Sequence, residues 1–150
     1  MAYLDTSVLA AYYCPEQLSD AVGRVLGDIT TPTISPLVEI ELCSALSLKV
    51  RTRELEVSSA RIIISRFQTD ITSSLYELID IGPREFQLAQ NWLSRFSSPL
   101  RTLDALHLAA AFCNDLEMIT TDKPLVAAAK HFSVRCHLVT KLIVPKLAPA

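Results

Sequence analysis

The chain has 150 residues, of which 50% are apolar and 20% are charged, the size and composition of one globular domain with a substantial core. Its 14 basic and 16 acidic side chains leave a net charge of −2, so no overall positive field attracts nucleic acid. With 3 glycines the chain lacks a glycine-rich phosphate loop. Its length predicts one domain over residues 1–150, and because no apolar run could span a bilayer, we expect no membrane contact.

The first half of the chain alternates short apolar runs with segments of helical periodicity. Strands are predicted at residues 2–4 and 32–35, each followed by a helix, and the second helix begins at Pro36 in the favoured first-turn position. One face of that helix is expected to turn inward, made of Leu37, Ile40, Glu41, Ala45 and Leu48. A partner helix over residues 54–71 is expected to complete a helical hairpin.

The second half of the chain continues the same alternation. Strands are predicted over residues 75–81, 117–120 and 134–139, and helices over residues 84–95 and 103–113 and after residue 122. Thr102 is expected to cap the middle helix, and the Thr121-Asp122 pair the last one. Strands that alternate with helices, without internal repeats, predict an α/β fold with a parallel sheet of about five strands.

Cysteine usage indicates a reducing compartment. The 4 cysteines lie 29, 70 and 23 positions apart, too far for a zinc knuckle or a redox motif. Each lies in an apolar stretch, so reduced core thiols are expected at Cys14, Cys43, Cys113 and Cys136. The first residues form neither a basic leader nor a long apolar segment, and we therefore expect a cytoplasmic protein.

Two acids follow predicted strands directly. Asp5 comes after the first strand and Asp122 after the strand at 117–120, so parallel topology would place both at the carboxyl edge of the sheet. Either acid alone is also explained as a helix cap that offsets the positive helix terminus. The sequence by itself leaves both interpretations open.

Two further acids lie on predicted helices. Glu41 occupies a position where a core residue is expected, although a lone helical glutamate is usually solvated. Asp104 stands in the first turn of a strongly apolar helix, where the helix dipole favours an acid and where partial burial is expected. If the four acids converge within about 5 Å, each like-charge pair costs about 3 kcal/mol, so protons or hard divalent cations such as Mg²⁺ or Mn²⁺ must neutralise them.

These acids lie in four stretches that together resemble the PIN domain family, specifically its VapC-type toxins. The stretches are YLDTS at 3–7, SPLVEIEL at 35–42, LRTLDALHLA at 100–109 and ITTDK at 119–123. They follow the family's order and spacing over essentially the whole chain, and the stretch at 100–109 is the most specific of them.

The resemblance implies a three-layer α/β/α fold and a ribonuclease site that requires Mg²⁺ or Mn²⁺. The acids carried over to that site, as catalytic residues and metal ligands, are Asp5, Glu41, Asp104 and Asp122. Thr6 and Thr121 match hydroxyl residues beside the site. Family membership further implies a homodimeric toxin that cleaves RNA, is restrained by a cognate antitoxin, and meets DNA only through that antitoxin.

Several other residues have two interpretations. Arg101 and Lys123 flank two of the acids and are either RNA phosphate contacts or solvated charges. Residues 49–66 carry five basic against two acidic side chains, a local charge of +3, and could guide RNA, face solvent or bind a partner subunit. His107 shares a helix face with Asp104, so it could support the site from behind, but a packed histidine is expected there. Helical spacing favours core positions over base stacking for the aromatic residues Tyr12, Tyr13 and Trp92.

Two alternative functions remain. A haloacid-dehalogenase-like phosphatase would also place an aspartate after the first strand, but its second aspartate would stand where this chain has Ser7. A non-catalytic PIN scaffold could bind RNA or protein, although all four acids are retained. For the nuclease, in-line attack is expected to leave a 5′-phosphate and a 3′-hydroxyl.

Overall fold

The computed structural model describes residues 1–141, and the last part of the predicted domain, residues 142–150, lies outside the described residues. The five strands of the described part are β1 (Ala2–Leu4), β2 (Pro32–Ile34), β3 (Glu77–Leu78), β4 (Glu117–Thr120) and β5 (Cys136–Leu138). Its seven helices are α1 (Thr6–Tyr13), α2 (Ser19–Asp28), α3 (Pro36–Arg51), α4 (Val57–Thr72), α5 (Pro83–Leu93), α6 (Thr102–Cys113) and α7 (Lys123–His131).

The strands form one parallel sheet in the order β3-β2-β1-β4-β5, which confirms the predicted α/β/α architecture. Strand β1 is central: Tyr3 pairs with Thr33 of β2 on one side and with Met118 of β4 on the other. The chain builds β2 and β3 on one side of β1 before it crosses to β4 and β5. Because the strand order reverses between β1 and β4, a crevice is expected outside the carboxyl ends of these two strands.

Helix α3 packs by a different face from the predicted one. Val38, Leu42 and Leu46 are buried at a spacing of four residues, whereas Ile40 is 70% and Leu48 is 52% exposed. The predicted inward face was therefore wrong, because α3 lies against the core along the neighbouring stripe. Glu41 borders that buried stripe and is half-buried.

Helix α6 is the apolar support beneath the acidic end of the sheet. Its residues from Ala105 to Ala111 are all buried, and it packs extensively against α5. The helix begins one residue earlier than predicted, at Thr102, so Arg101 rather than Thr102 is its N-cap residue. Asp104 accordingly lies in the first turn, as the sequence predicted.

The largest difference from the sequence prediction is α2, which was not anticipated. Its apolar pattern is interrupted by Gly23 and Gly27, two poor helix formers that weaken the local signal. Strand β3 is confined to Glu77–Leu78 because it lies at the sheet edge and pairs only with β2. The predicted strand over 75–81 was too long for that position.

The cysteines of the described residues are all free, in agreement with the expected reduced state. Cys14 is buried, but Cys43 is exposed, so the expectation of a core position was wrong for Cys43. Tyr13 and Trp92 are buried in the core as predicted.

In the described part of the chain, no helix combines the length and the apolar character needed to cross a membrane.

Candidate active site

Asp5 is a buried carboxylate immediately beyond the end of β1. Ser7 Oγ donates to its Oδ1 at 2.7 Å, and Thr120 Oγ1 donates to its Oδ2 at 2.8 Å. The capping hydrogen bond from Val8 N is longer, at 3.3 Å. Burial raises the pKa of Asp5 above its usual value, although the two hydroxyl donors oppose that shift. The carboxylate is therefore held mainly by hydroxyl groups of the sheet edge, and capping is a minor part of its environment.

The same hydroxyls join the ends of β1 and β4. Ser7 Oγ accepts a hydrogen bond from Thr121 N at 3.0 Å, and Thr120 Oγ1 accepts one from Asp122 N at 3.0 Å. Sequence reasoning named the Thr121 hydroxyl, but the hydroxyls that contact Asp5 belong to Ser7 and Thr120. The available signal was that each of these residues stands two positions from a motif acid.

Glu41 reaches the site from the second turn of α3. Its Oε2 accepts a hydrogen bond from Thr6 Oγ1 at 2.6 Å and contacts His107 Nε2. Burial disfavours the charged form, but the hydrogen bonds from His107 and Thr6 and the charge of Arg101 outweigh it and hold the pKa of Glu41 below its usual value. Glu41 is therefore an ionised carboxylate at neutral pH.

His107 is buried, as a packed histidine would be, but it also contacts the site through Glu41. Its Nδ1 lies 2.8 Å from the hydroxyl oxygen of Tyr3, which lies 2.8 Å from Ser35 Oγ. Sequence reasoning favoured packing over a supporting role for His107, and it assigned no site role to Tyr3 or Ser35. The three residues are far apart in sequence, and only the fold brings them together.

Asp104 and Asp122 face the same guanidinium group. Arg101 Nε donates to Asp104 Oδ2 at 3.0 Å, and Arg101 Nη2 lies 4.0 Å from Asp122 Oδ2. The Arg101 side chain is 76% exposed, whereas the two acids are mostly covered. Asp122 is the N-cap residue of α7, as expected, but its side chain makes no capping hydrogen bond within the described residues. The guanidinium supplies the positive charge between these two acids.

The four acids are thus brought to one edge of the sheet. Asp5 is linked to the main chain of Asp122 through the Thr120 hydroxyl, and Asp104 is linked to Asp122 through Arg101. The atoms that these four acids offer to a metal are all carboxylate oxygens, the ligand type that Mg²⁺ and Mn²⁺ prefer. Within residues 1–141, however, no three His, Cys, Asp or Glu side chains stand close enough to hold one ion. The donor set fits the implied metal by chemistry, with Arg101 lying between two of the acids.

A cleft of about 480 Å³ opens beside Arg101 and Asp104. Its other walls come from the segment before α6 and from α7, including Pro124 and His131. Lys123, the first residue of α7, is exposed next to this opening. The cleft gives an extended ligand access to the outer side of the acidic edge.

The basic segment at 49–66 is partly engaged by the protein itself. Lys49 forms an ion pair with Glu16 at 2.8 Å, and the Arg66 guanidinium lies over the rings of Tyr12 and Tyr13 at 5.9 and 5.8 Å. Other basic residues of the segment are exposed, namely Arg51, Arg53 and Arg61. Lys49 lies about 12 Å along α3 from Glu41, since a helix rises about 1.5 Å per residue.

In open parallel α/β sheets, ligands bind outside the carboxyl ends of the strands where the strand order reverses, and Asp5 and Asp122 of this chain follow the two strands at that point. The PIN domain family model matches residues 2–131, and the chain belongs to the PIN domain family. Comparison with curated protein sequences found no significant match.

Solved structures share the fold at low sequence identity. FitAcB from Neisseria gonorrhoeae superposes with a TM-score of 0.71 at 17% identity, covering 91% of this chain and 96% of that one. The toxin VapC20 from Mycobacterium tuberculosis, described as cleaving the sarcin-ricin loop, gives a TM-score of 0.67 at 18% identity, covering 85% and 95%. A toxin-antitoxin complex from Klebsiella pneumoniae gives a TM-score of 0.67 at 16% identity, covering 95% and 100%.

Proposed function

We propose that this protein is a metal-dependent endoribonuclease and the toxin of a toxin-antitoxin pair. The observation that carries the proposal is the gathering of Asp5, Glu41, Asp104 and Asp122 at one sheet edge in a chain of the PIN family. The similar fold of a toxin that cleaves the sarcin-ricin loop supports an RNA substrate.

Asp5, Asp104 and Asp122 would hold a divalent cation directly or through water, and Glu41 would complete the set. When bound, Mg²⁺ or Mn²⁺ neutralises charge on the phosphoryl oxygens and makes a water molecule more acidic. Ser7 and Thr120 fix the Asp5 oxygens in advance, which reduces the reorganisation that binding requires. Arg101 would turn from Asp104 and Asp122 toward solvent, which its exposure permits.

Glu41 is the group suited to orient the attacking water, because it is ionised and its position is fixed by two neighbouring residues. Attack of water on phosphorus, in line with the ribose 3′-oxygen as the leaving group, would break the P–O3′ bond and yield a 5′-phosphate and, after protonation of the leaving oxygen, a 3′-hydroxyl. A cyclic-phosphate route would need a base beside the ribose 2′-hydroxyl, and His107 is buried behind Glu41 rather than open to RNA.

Arg101 and Lys123 are proposed to contact RNA phosphates at the cleft. Arg101→Gln is expected to weaken RNA binding about tenfold and to reduce the slope of log Kd against log salt by about one, because a phosphate contact is lost and two acids lose their counter-charge. Binding would be measured by fluorescence anisotropy in EDTA, where the proposed cleavage does not proceed. Arg24→Gln on the exposed side of α2 is the matched control, and an equal effect of both changes would contradict the assignment.

The partners proposed with this function are an antitoxin protein and a second copy of the chain. The fold shared with a chain of a toxin-antitoxin complex supports the first. Two adjoining apolar pockets, which share Phe86 and Leu106, support a protein interface, and their exposed side chains include Ile40, Phe86 and Phe96. DNA would be met only through the antitoxin, and the RNA substrate implies a cytoplasmic location.

The alternative functions have less support. In a haloacid-dehalogenase-like phosphatase, the second residue after the first aspartate would be an acid-base group. Here that residue is Ser7, and its hydroxyl is engaged between Asp5 and the main chain of Thr121. A non-catalytic scaffold would have no need for an ionised Glu41 facing the same edge as three aspartates.

Expression of the protein is expected to arrest bacterial growth, and Asp104→Ala is expected to abolish that arrest. The change removes an acid of the site whose partner is the exposed side chain of Arg101, so the fold should persist. Growth curves would be compared with those for Asp115→Ala, an exposed aspartate beyond the other end of α6. Growth arrest that persists with Asp104→Ala, or the absence of arrest by the unaltered protein at matched expression, would contradict the proposed toxin function. In a separate experiment, co-expression of the product of the adjacent upstream gene should relieve the arrest.

A further inference from the structure

A buried chain of hydrogen-bonding side chains leads from the core to Glu41. It runs from Ser35 through Tyr3 to His107 and ends on Glu41 Oε2. Ser35 and Tyr3 are fully buried, and His107 is nearly so. The chain connects the start of α3, the central strand β1 and helix α6, three elements that meet behind the acidic edge.

The protons of this chain have a definite order. A carboxylate accepts hydrogen bonds, so His107 Nε2 is the donor in its contact with Glu41 Oε2. In the neutral ring, Nδ1 is then an acceptor and takes the proton of the Tyr3 hydroxyl. The Tyr3 oxygen in turn accepts the proton of the Ser35 hydroxyl.

Polar side chains buried at these positions would lower the stability of the fold if they were not hydrogen-bonded. His107 is the one polar residue in the buried run from Ala105 to Ala111 of α6, where the other side chains are alanine and leucine. A buried polar side chain destabilises the fold unless it is hydrogen-bonded, and here the last bond is made to an acid of the candidate site.

The hydrogen-bonded side chains orient the Glu41 carboxylate. Within the described residues, the hydrogen bonds from Thr6 and His107 both reach Oε2. Two donors from different elements therefore fix one oxygen and leave Oε1 for a ligand. Tyr3 in turn fixes the ring of His107 from the opposite nitrogen.

We propose that His107, held by Tyr3 and Ser35, is a positioning residue that locks the Glu41 carboxylate in the orientation the site requires. This inference rests on the proposed nuclease function, and it gives the acidic site a supporting group of residues that lies behind the acids. Partners of this kind, behind the residues that bind a metal, typically change metal affinity or activity by 10- to 100-fold when they are removed.

Tyr3→Phe is the mildest test, because it removes one hydroxyl and leaves His107 and Glu41 in place. We expect kcat for RNA cleavage to fall about tenfold, and the Mn²⁺ concentration for half-maximal thermal stabilisation to rise about tenfold, with KM for RNA unchanged. His107→Leu should cause a larger loss of about 100-fold, and His107→Gln, which keeps a donor toward Glu41, should recover part of it. Tyr13→Phe is the matched control, since Tyr13 is a buried tyrosine that bonds Asp70 and Tyr76 away from the site.

A readout that needs no activity is the ¹⁵N spectrum of the His107 ring in metal-free protein. We expect a protonated Nε2 whose resonance shifts in Glu41→Gln, and an unprotonated Nε2 would overturn the inference. If the unaltered protein cleaves RNA but both Tyr3→Phe and His107→Leu leave the Mn²⁺ midpoint and kcat unchanged, the positioning role of His107 would be overturned and the proposed nuclease function would stand. An unaltered protein that neither cleaves RNA nor binds Mn²⁺ would overturn the proposed function and this inference with it.

Discussion

Asp104→Asn is expected to slow RNA cleavage by about 10³-fold, because it removes the charge of a proposed metal ligand without changing the size of the side chain. Loss of one such ligand is worth several kcal/mol of transition-state stabilisation, and about 4 kcal/mol corresponds to that factor. The measurement is the initial rate of cleavage of a labelled RNA at saturating Mn²⁺. Asparagine fills the same space, and Asp104 bonds the exposed Arg101 rather than a buried group, so the melting temperature of the metal-free protein should change little.

The matched control is Asp115→Asn. Asp115 follows the carboxyl end of α6, is almost fully exposed and pairs with Arg135, so its charge is remote from the acidic edge. Its variant should keep the full rate. An Asp104→Asn protein that cleaves at the unaltered rate would remove Asp104 from the site.

Asp5→Asn is expected to have opposite effects on the metal-free and the metal-bound protein. Burial raises the pKa of Asp5 in the folded state, so this group favours folding below its unfolded pKa and loses that contribution as the pH rises through the folded pKa. At neutral pH the buried charge therefore destabilises the metal-free protein. Asparagine carries no charge, so the metal-free variant should melt at a higher temperature than the unaltered protein, and the difference should shrink toward acidic pH.

With Mn²⁺ bound, the unaltered protein should melt at a higher temperature than Asp5→Asn. A ligand at about 100 times its Kd stabilises the folded state by about 2.7 kcal/mol, or about 5 to 10 °C for a chain of this size. The unaltered protein should show this gain, and Asp5→Asn should lose it. Thermal unfolding followed by circular dichroism across a Mn²⁺ titration measures both effects, with Asp115→Asn as the control that keeps the gain. If Asp5→Asn retains the gain, Asp5 is not part of the metal site.

The shared edge of Asp5 and Asp122 could be predicted from the sequence because it follows from topology. Both residues come just after a strand, and parallel neighbours end at the same side of a sheet. The pairing of Leu4 with Ile119 confirms that the two ends lie side by side. The helical positions of Glu41 and Asp104 followed from the resemblance together with local periodicity.

Other features depend on contacts that no local pattern encodes. The buried face of α3 is chosen by the elements it packs against, and its first residues fit either of two adjacent stripes. Helix α2 forms despite two glycines because Ala21 and Val22 are buried against the rest of the domain. The partners of His107 come from residues 3, 35 and 41, a combination that only the folded chain creates.

The central claim is that the acidic edge cleaves RNA through a bound divalent cation. Its most direct test is to incubate metal-stripped protein with a defined RNA in EDTA, to add Mg²⁺ or Mn²⁺ in excess, and to identify the ends of the products. Our account predicts no cleavage in EDTA, recovery on addition of either ion, and products with 5′-phosphate and 3′-hydroxyl ends. Cleavage that continues unchanged in EDTA, or that yields 2′,3′-cyclic phosphates, would contradict it.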